Sequence, residues 1–243
     1  MIHLIPMVGF LEREMNKKLF GVTAALIAVG LGTTAAAWPV NKPTYVLSTN
    51  ANVSIKPFAT TGDKFGDFTL RGIPDGMGGY RNEHGQVVLL SNHEVAINDK
   101  IALKSASATS QWGVSISKFT FSGVNGNLAK AENFIKGINY WNYKTGAYQD
   151  TPIGGEPADA AKDSFGWGIS RFCSATFSPA GTFSYGTGSS AVGYDGALFT
   201  TGEEVGDSSR GFAFDMNGQG YQLPRMGMMS FETIAAHNFL LIG

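Results

Sequence analysis

The stretch that decides the fold runs Val87-Val88-Leu89-Leu90-Ser91-Asn92-His93-Glu94, an apolar segment that ends in polar residues. Asn82-Glu83-His84-Gly85 lies just upstream and has the composition of a tight turn. A short apolar run that contains β-branched residues and follows a turn predicts a β-strand. We place this strand at Gln86 to Ser91.

Similar runs recur between glycine-bearing turns, and no helical period is sustained after residue 37. Four more strands are predicted at Val114 to Phe121, Gly181 to Tyr185, Ala197 to Thr201 and Gly211 to Met216. Turns are predicted at Asn125-Gly126-Asn127 and Asn217-Gly218. We therefore predict an all-β fold, and strands in meander order fit a sheet, a sandwich or a β-propeller. If β-propeller-like, the fold would be an incomplete propeller, because residues 38–243 hold too few strands to close one.

Two segments are predicted to be irregular. Residues 139–168 mix Gly, Pro, Tyr, Trp and Asp without a period, which favours a long surface loop near the functional face. Asp75-Gly76-Met77-Gly78-Gly79 is rich in glycine, but no helical pattern follows it, as a phosphate-binding loop would require. We expect its glycines to form a tight turn.

Acidic residues follow apolar runs more than once. Val87-Val88-Leu89-Leu90 leads to Glu94, and Ala197-Leu198-Phe199-Thr200-Thr201 leads to Gly202-Glu203-Glu204. A looser third instance is Met228-Met229-Ser230-Phe231-Glu232. In a propeller, equivalent strand ends can converge on one site, and convergent carboxylates suit hard cations. The alternative is that polar residues simply follow strands where turns begin.

Composition excludes several classes of protein. The 243 residues are 43% hydrophobic and 15% charged, enough apolar sequence to bury a core. Lys and Arg number 18 against 19 Asp and Glu, and no basic stripe is interleaved with aromatic residues, so we expect no nucleic-acid partner. P-loop, dinucleotide-binding, Gly-x-Ser-x-Gly, zincin and EF-hand motifs are absent from the sequence.

The N-terminal sequence predicts export. Asn16-Lys17-Lys18 follows Met15, an apolar stretch runs from Leu19 to Gly32, and Ala35-Ala36-Ala37 precedes Trp38. This is the three-part layout of a cleavable signal peptide over residues 15–37, with residues 1–14 as an upstream extension. The apolar stretch is shorter than the roughly 20 residues that a spanning helix needs, so we expect no membrane anchor after cleavage. Residues 38–243 are then one mature domain, periplasmic or extracellular and monomeric.

Cys173 is the single cysteine, so no internal disulfide can form. Its thiol could be a buried small hydrophobe beside Phe172 and Ala175, a nucleophile, or a ligand for a transition metal such as iron or zinc. His93 could bind a metal or orient Glu94 through a hydrogen bond. The sequence leaves the same alternatives open for His237.

The order of these motifs resembles the landmarks of the PhoX-type alkaline phosphatases, which are bacterial exported β-propellers. The landmarks span most of residues 70–235, and this chain would be a divergent member. Because the chain stops soon after the last landmark, we expect it to be the N-terminal part of a longer family domain. The landmarks are Ile73-Pro74-Asp75-Gly76-Met77-Gly78, Leu89-Leu90-Ser91-Asn92-His93-Glu94, Cys173, Gly202-Glu203-Glu204 and Ser230-Phe231-Glu232.

The resemblance implies a reaction and a set of ligands. The family's phosphatases hydrolyse phosphomonoesters at a cluster of iron and calcium ions held by a cysteine thiolate and several glutamates. By that resemblance Cys173 is an iron ligand, and Glu94, Glu204 and Glu232 bind iron or calcium. The partner would be a small phosphate ester. The alternative function is a non-catalytic exported propeller that binds calcium or a surface partner, with Cys173 merely buried.

Overall fold

The computed structural model describes residues 43–94, 101–104, 110–113, 115–124, 126–150, 169 and 171–236. Within these ranges the chain forms sixteen β-strands and two short 3-10 turns, at Gly188–Ser190 and Pro224–Met226. The predicted all-β class is therefore confirmed. No helix in these ranges is long and apolar enough to cross a membrane. The predicted signal peptide at 15–37 lies outside the described residues.

One sheet is a four-stranded antiparallel meander. Its strands, in spatial order, are β3 (Pro74–Arg81), β4 (Val87–His93), β7 (Ile116–Phe121) and β8 (Leu128–Asn133). Successive side chains on a strand point to opposite faces, so this sheet can bury apolar residues on both sides. Val88 and Leu90 of β4 are buried on one face, and Leu89 packs on the other.

The second face is covered by the segment that precedes β3. The hairpin of β1 (Lys64–Phe65) and β2 (Phe68–Thr69) places apolar side chains against the sheet. Phe58 packs edge-to-face on both Phe119 and Phe121, with ring centroids 5.1 Å apart in each case. This cluster explains why β7 carries Phe119 and Phe121 on one face.

The second large sheet has six strands. In spatial order they are β10 (Ala147–Gln149), β9 (Gly137–Asn142), β16 (Gln219–Gln222), β15 (Gly211–Asp215), β14 (Leu198–Glu203) and β11 (Phe172–Ser178). The last four form an antiparallel meander, and β9 joins it through a parallel pairing with β16.

Two small hairpins interrupt the meanders. The pair β5 (Ile101–Lys104) and β6 (Ser110–Gly113) lies between β4 and β7 in the chain. The pair β12 (Phe183–Tyr185) and β13 (Val192–Tyr194) lies between β11 and β14. Both hairpins therefore interrupt a meander without adding a strand to its sheet.

The two large sheets share one core, which is rich in phenylalanine from the six-stranded sheet and in aliphatic residues from the other. The sheets approach each other most closely where β3 meets β11. A Cβ placed on Gly76 would lie 2.0 Å from the backbone nitrogen of Ala175, so only glycine fits there. Further along the same strands Tyr80 stacks on Phe177, with ring centroids 5.2 Å apart.

The turns at residues 82–85 and 217–218 are confirmed, and their glycines Gly85 and Gly218 have φ of 72° and 87°. The five predicted strands are also confirmed, and none of their ends is shifted by more than two residues. The turn predicted at residues 75–79 is wrong, because the segment is part of β3. Its glycines lack the side chains that would clash with β11. The predicted turn residue Asn125 and the predicted strand residue Val114 lie outside the described residues.

The loop predicted over residues 139–168 is wrong in its first part, where β9 and β10 occur. Aromatic residues pack there, and Tyr140 is buried with only 1% exposure. Residues 151–168 lie outside the described part of the chain. The apolar run before Glu232 is not a strand either, because it makes a single β-bridge between Met228 and Arg210.

Candidate metal centre

Four chain segments meet at one end of the two large sheets. Asp75 lies near the start of β3 and Glu94 directly follows β4, while Cys173 lies near the start of β11 and Glu204 directly follows β14. In an antiparallel pair the start of one strand lies beside the end of its neighbour. The pairings of β3 with β4 and of β11 with β14 therefore bring these four residues to a common edge.

A β-bulge aims Cys173 at this edge. Phe172 pairs with Glu203, but the next paired residue on β11 is Ala175, which faces Thr201. Three steps along β11 therefore match two steps along β14, which is the count that defines a bulge. Cys173 lies within the bulge, where the normal alternation of side chains is broken.

The strand β3 has a bulge at the corresponding place. Pro74 pairs with His93, and the next paired residue, Met77, faces Ser91. Asp75 lies in the extra step. Because bulges redirect side chains, the two irregularities together let Asp75 and the cysteine of β11 face each other.

The Cys173 thiol contacts two carboxylates. Its Sγ lies 3.0 Å from Oδ2 of Asp75 and 3.1 Å from Oε2 of Glu232, and the cysteine is only 5% exposed. Burial raises the pKa of the thiol above its usual range, and the contacts with Asp75 and Glu232 raise it further. A thiol has one hydrogen to donate, so it cannot donate to both carboxylates at once.

The candidate ligands form two groups that share the cysteine. Asp75, Glu94 and Cys173 each offer an atom to the first group, and Cys173, Glu204 and Glu232 to the second. Within each group these atoms all lie within 4.8 Å of one another. The four residues singled out in the sequence are thus brought together, and Asp75 joins them.

Arg171 joins one carboxylate of each group. Its Nη2 forms an ion pair with Oε2 of Glu94 and lies 3.1 Å from Oε2 of Glu204. Burial alone would lower the pKa of Arg171, but the hydrogen bond and charge of Glu94 and the charge of Glu204 raise it. The guanidinium therefore stays charged and offsets part of the negative charge.

Asn92 joins the two sheets behind the ligands. It is fully buried on β4, and its Nδ2 donates to the backbone oxygen of Cys173 at 2.8 Å and to Oγ1 of Thr201 at 2.6 Å. Because Asn92 and Glu94 are two residues apart in an extended segment, both point towards β11. This amide thus fixes the position of the cysteine relative to β4 and β14.

The neighbouring glutamates Glu203 and Glu204 have different roles. Glu203 is fully buried and accepts hydrogen bonds from Nε and Nη2 of Arg210, each at 2.8 Å. Burial would lower the pKa of Arg210, but the charge of Glu203 and its hydrogen bonds raise it. The backbone oxygen of Glu203 also accepts from Phe231 N at 2.9 Å, which holds the segment that carries Glu232.

His93 is not in either ligand group. Its Nε2 lies 2.6 Å from Oγ of Ser117, on the face of the sheet opposite Asn92. Burial lowers the pKa of His93 to about 4, so the ring is neutral near pH 7. The histidine therefore supports the strand pairing and makes no hydrogen bond that would orient Glu94. His237 lies outside the described residues.

Sequence reasoning missed Asp75, Asn92 and Arg171 as parts of this site. Asp75 was assigned to a turn, although Gly76 and Gly78 alternate in the way expected where another backbone approaches a strand. That spacing was the available signal. The other two residues have no sequence signal of their own, because their role depends on how the two sheets pack.

The donor set fits metal ions in general. A thiolate suits transition metals and carboxylates suit hard cations such as calcium, so the geometry is not specific to iron or calcium. Comparison of the chain with family models, with curated proteins and with solved structures gave no match. The resemblance to the PhoX-type phosphatases therefore stays a prediction from the motifs, and the function has to be inferred from the site itself.

Proposed function

We propose that this chain is an exported, metal-dependent phosphatase that hydrolyses phosphomonoesters at the centre around Cys173. The observation that carries the proposal is the meeting of Asp75, Glu94, Glu204 and Glu232 at one buried thiol. These residues come from distant parts of the chain, with 98 residues separating the cysteine from Asp75. Carboxylates this close to one another repel when charged, and bound cations would relieve that repulsion.

The contacts of the thiol support a cation site. One S–H faces two carboxylate oxygens, and a thiolate with two carboxylates would be unfavourable without a positive charge nearby. A metal ion would stabilise the thiolate and both carboxylates together, since thiols deprotonate when they coordinate metals. We propose Cys173 for iron, and Glu94, Glu204 and Glu232 for iron or calcium.

Bound metal ions would neutralise the phosphate ester, lower the pKa of water and stabilise the leaving oxygen. The protein's own residues position these groups. Asn92 fixes the backbone at Cys173, and the pair of Glu203 and Arg210 fixes the segments that carry Glu204 and Glu232. The low exposure of Cys173 keeps water away from the sulfur.

We also propose that the fold is part of a β-propeller. What supports this is a pair of four-stranded antiparallel meanders, β3-β4-β7-β8 and β11-β14-β15-β16, that pack on a common core. Propeller blades are sheets of this kind, arranged around a channel. Two blades would place their equivalent strand ends at one site, as the residues around Cys173 are placed here.

Export to the periplasm or the exterior, with cleavage of residues 1–37, follows from the N-terminal sequence pattern. The mature product would be a single monomeric domain over residues 38–243 without a membrane anchor. N-terminal sequencing of secreted protein tests this directly. A chain that begins at Trp38 supports the proposal, and one that retains Met1 or Met15 contradicts it.

The metal proposal is tested by elemental analysis of the purified mature protein and of Cys173→Ser. Glu132→Gln is the matched control, because Glu132 is a carboxylate on β8 that pairs with Lys130 and lies in neither ligand group. We expect stoichiometric iron in the wild type and the control, and none in Cys173→Ser. Equal iron in all three proteins would show that the Cys173 thiol is not an iron ligand.

The phosphatase proposal is tested with a chromogenic phosphomonoester and the same proteins. We expect turnover that needs calcium and falls on chelation, with a loss of at least about 100-fold in Cys173→Ser, since a metal centre supplies several kcal/mol to the transition state. Glu132→Gln should retain full activity. Metal-loaded protein without turnover would exclude this function.

A second function, a calcium-binding protein without catalysis, is favoured by one observation. Four of the five candidate ligands are carboxylates, and the raised pKa of Cys173 keeps its thiol protonated unless a metal displaces the proton. Under this alternative calcium stabilises the fold, Cys173→Ser binds calcium as tightly as the wild type, and no ester is hydrolysed. Iron bound through the thiol would exclude it.

A further inference from the structure

Arg171 is the residue at the centre that the proposed function does not yet use. One of its nitrogens, Nη2, contacts a carboxylate from each ligand group, Glu94 from the first and Glu204 from the second. Its side chain is 42% exposed, so solvent reaches the guanidinium. A cation already sits between the carboxylates that metal ions would need.

The Arg171 contacts differ from those of a structural ion pair. Arg210 is buried and donates through Nε and Nη2 to the two oxygens of one carboxylate, as a planar guanidinium does when it locks a structure. Arg171 instead uses one nitrogen for both partners, and its Nε is buried without a hydrogen-bond partner in the described structure. The guanidinium of Arg171 therefore does not form two parallel hydrogen bonds with either carboxylate.

Charge makes these contacts incompatible with a metal-loaded centre. A metal ion held by Glu94 or Glu204 would lie within a few ångströms of the guanidinium, and like charges at that distance repel. The exposed Arg171 side chain can move away, whereas the carboxylates are held by the ends of β4 and β14. A guanidinium beside bound cations is suited to a doubly charged oxyanion, which it can bind through two parallel hydrogen bonds.

We propose that Arg171 is an internal counter-ion that holds Glu94 and Glu204 in the cation-free protein, yields them to metal ions, and then binds the phosphate group of the substrate. This inference rests on the proposed metal-dependent function. It predicts that Arg171 weakens cation binding and strengthens phosphate binding. A residue that only stabilises the strand ends would affect both in the same direction.

The test is calorimetric titration of Arg171→Gln and wild type, first with Ca²⁺ alone and with Zn²⁺ alone. Inorganic phosphate is then titrated into each cation-loaded protein. Arg171→Gln should bind cations about tenfold more tightly, because a competing charged hydrogen bond is lost, and phosphate about tenfold more weakly. Arg81→Gln is the matched control, since Arg81 is exposed and bonds only locally to Gly85 O at 2.8 Å. The control should change neither affinity.

Arg171→Lys keeps the test decisive if the glutamine variant does not fold. Lysine preserves the charge but not the two-pronged geometry, so its cation affinity should match the wild type and its phosphate affinity should fall about tenfold. Unchanged phosphate binding in Arg171→Lys, or a loss of both affinities in Arg171→Gln, would overturn the role of Arg171 and leave the proposed function standing. A wild type that binds neither cation would overturn both.

Discussion

Gly76→Ala is expected to destabilise the protein by pushing the two large sheets apart. The new Cβ would lie 2.0 Å from the backbone nitrogen of Ala175 and 2.4 Å from the carbonyl carbon of Ser174. These are backbone atoms, which cannot rotate away as a flexible side chain could. Overpacking of a core costs about 1–3 kcal/mol, and a backbone clash belongs at the upper end, so we expect about 3 kcal/mol.

Gly79→Ala on the same strand is the matched control. The nearest atom to its added Cβ is the backbone oxygen of Val88 at 3.4 Å, an ordinary contact. Alanine restricts the unfolded chain more than glycine does, so this variant should be stabilised by about 0.5 kcal/mol. The two substitutions are chemically identical and three residues apart, yet their effects should have opposite signs.

The assay is urea unfolding of both variants and the wild type, followed by thermal unfolding. For a domain of this size a loss of about 3 kcal/mol lowers the Tm by about 6–12 °C. Gly76→Ala should also weaken cation binding, because β3 carries Asp75 and β11 carries Cys173. If Gly76→Ala is as stable as Gly79→Ala, β3 does not lie against β11 and the proposed centre is wrong.

Three other predictions follow from buried charge and ligand binding. Arg210→Met should cost about 3–5 kcal/mol in urea unfolding, because it removes the guanidinium that forms an ion pair with the fully buried Glu203; a cost under about 1 kcal/mol would contradict this ion pair. The pKa of His93 falls from 6.5 unfolded to about 4 folded, so the unfolded chain binds more protons between those values. Stability should be full above pH 6.5 and fall by about 3 kcal/mol as the pH approaches 4, a loss that His93→Gln should reduce in unfolding curves taken across this range. Calcium at about 100 times its Kd should stabilise the protein by about 2.7 kcal/mol and chelation should reverse this, whereas a Tm indifferent to both would count against calcium at the centre.

The fold class could be read from the sequence because alternating burial leaves a local signal. Val88 and Leu90 face one core while Leu89 faces another, and the resulting apolar run marks a strand whichever partner it has. The strand β3 gave no such signal, since close approach by β11 requires glycine at Gly76 and glycine also marks turns. Only the packing of β3 against β11 distinguishes a strand from a turn at this segment.

The sequence predicts the site residues that follow the ends of strands. It does not predict the residues whose side-chain direction depends on how the two sheets pack. Glu94 and Glu204 come a few residues after apolar runs, so their place at a sheet edge follows from the sequence. Asp75 and Cys173 meet because both strands contain a bulge, and a bulge is defined by the register with a partner strand. Arg171 could not be assigned before both of its carboxylates were located.

The contacts that assemble the candidate centre join residues far apart in the sequence, which has a consequence for how the protein folds. Asp75 and Cys173 are 98 residues apart in the chain, and Cys173 and Glu232 are 59 apart. Contacts of such high contact order form late, because the entropy of closing the loop is lost before the contact is gained. Ligands for an ion would therefore assemble only when folding is nearly finished. If the export proposed above is of an unfolded chain, the ion supply of the destination compartment would then limit the yield of folded protein.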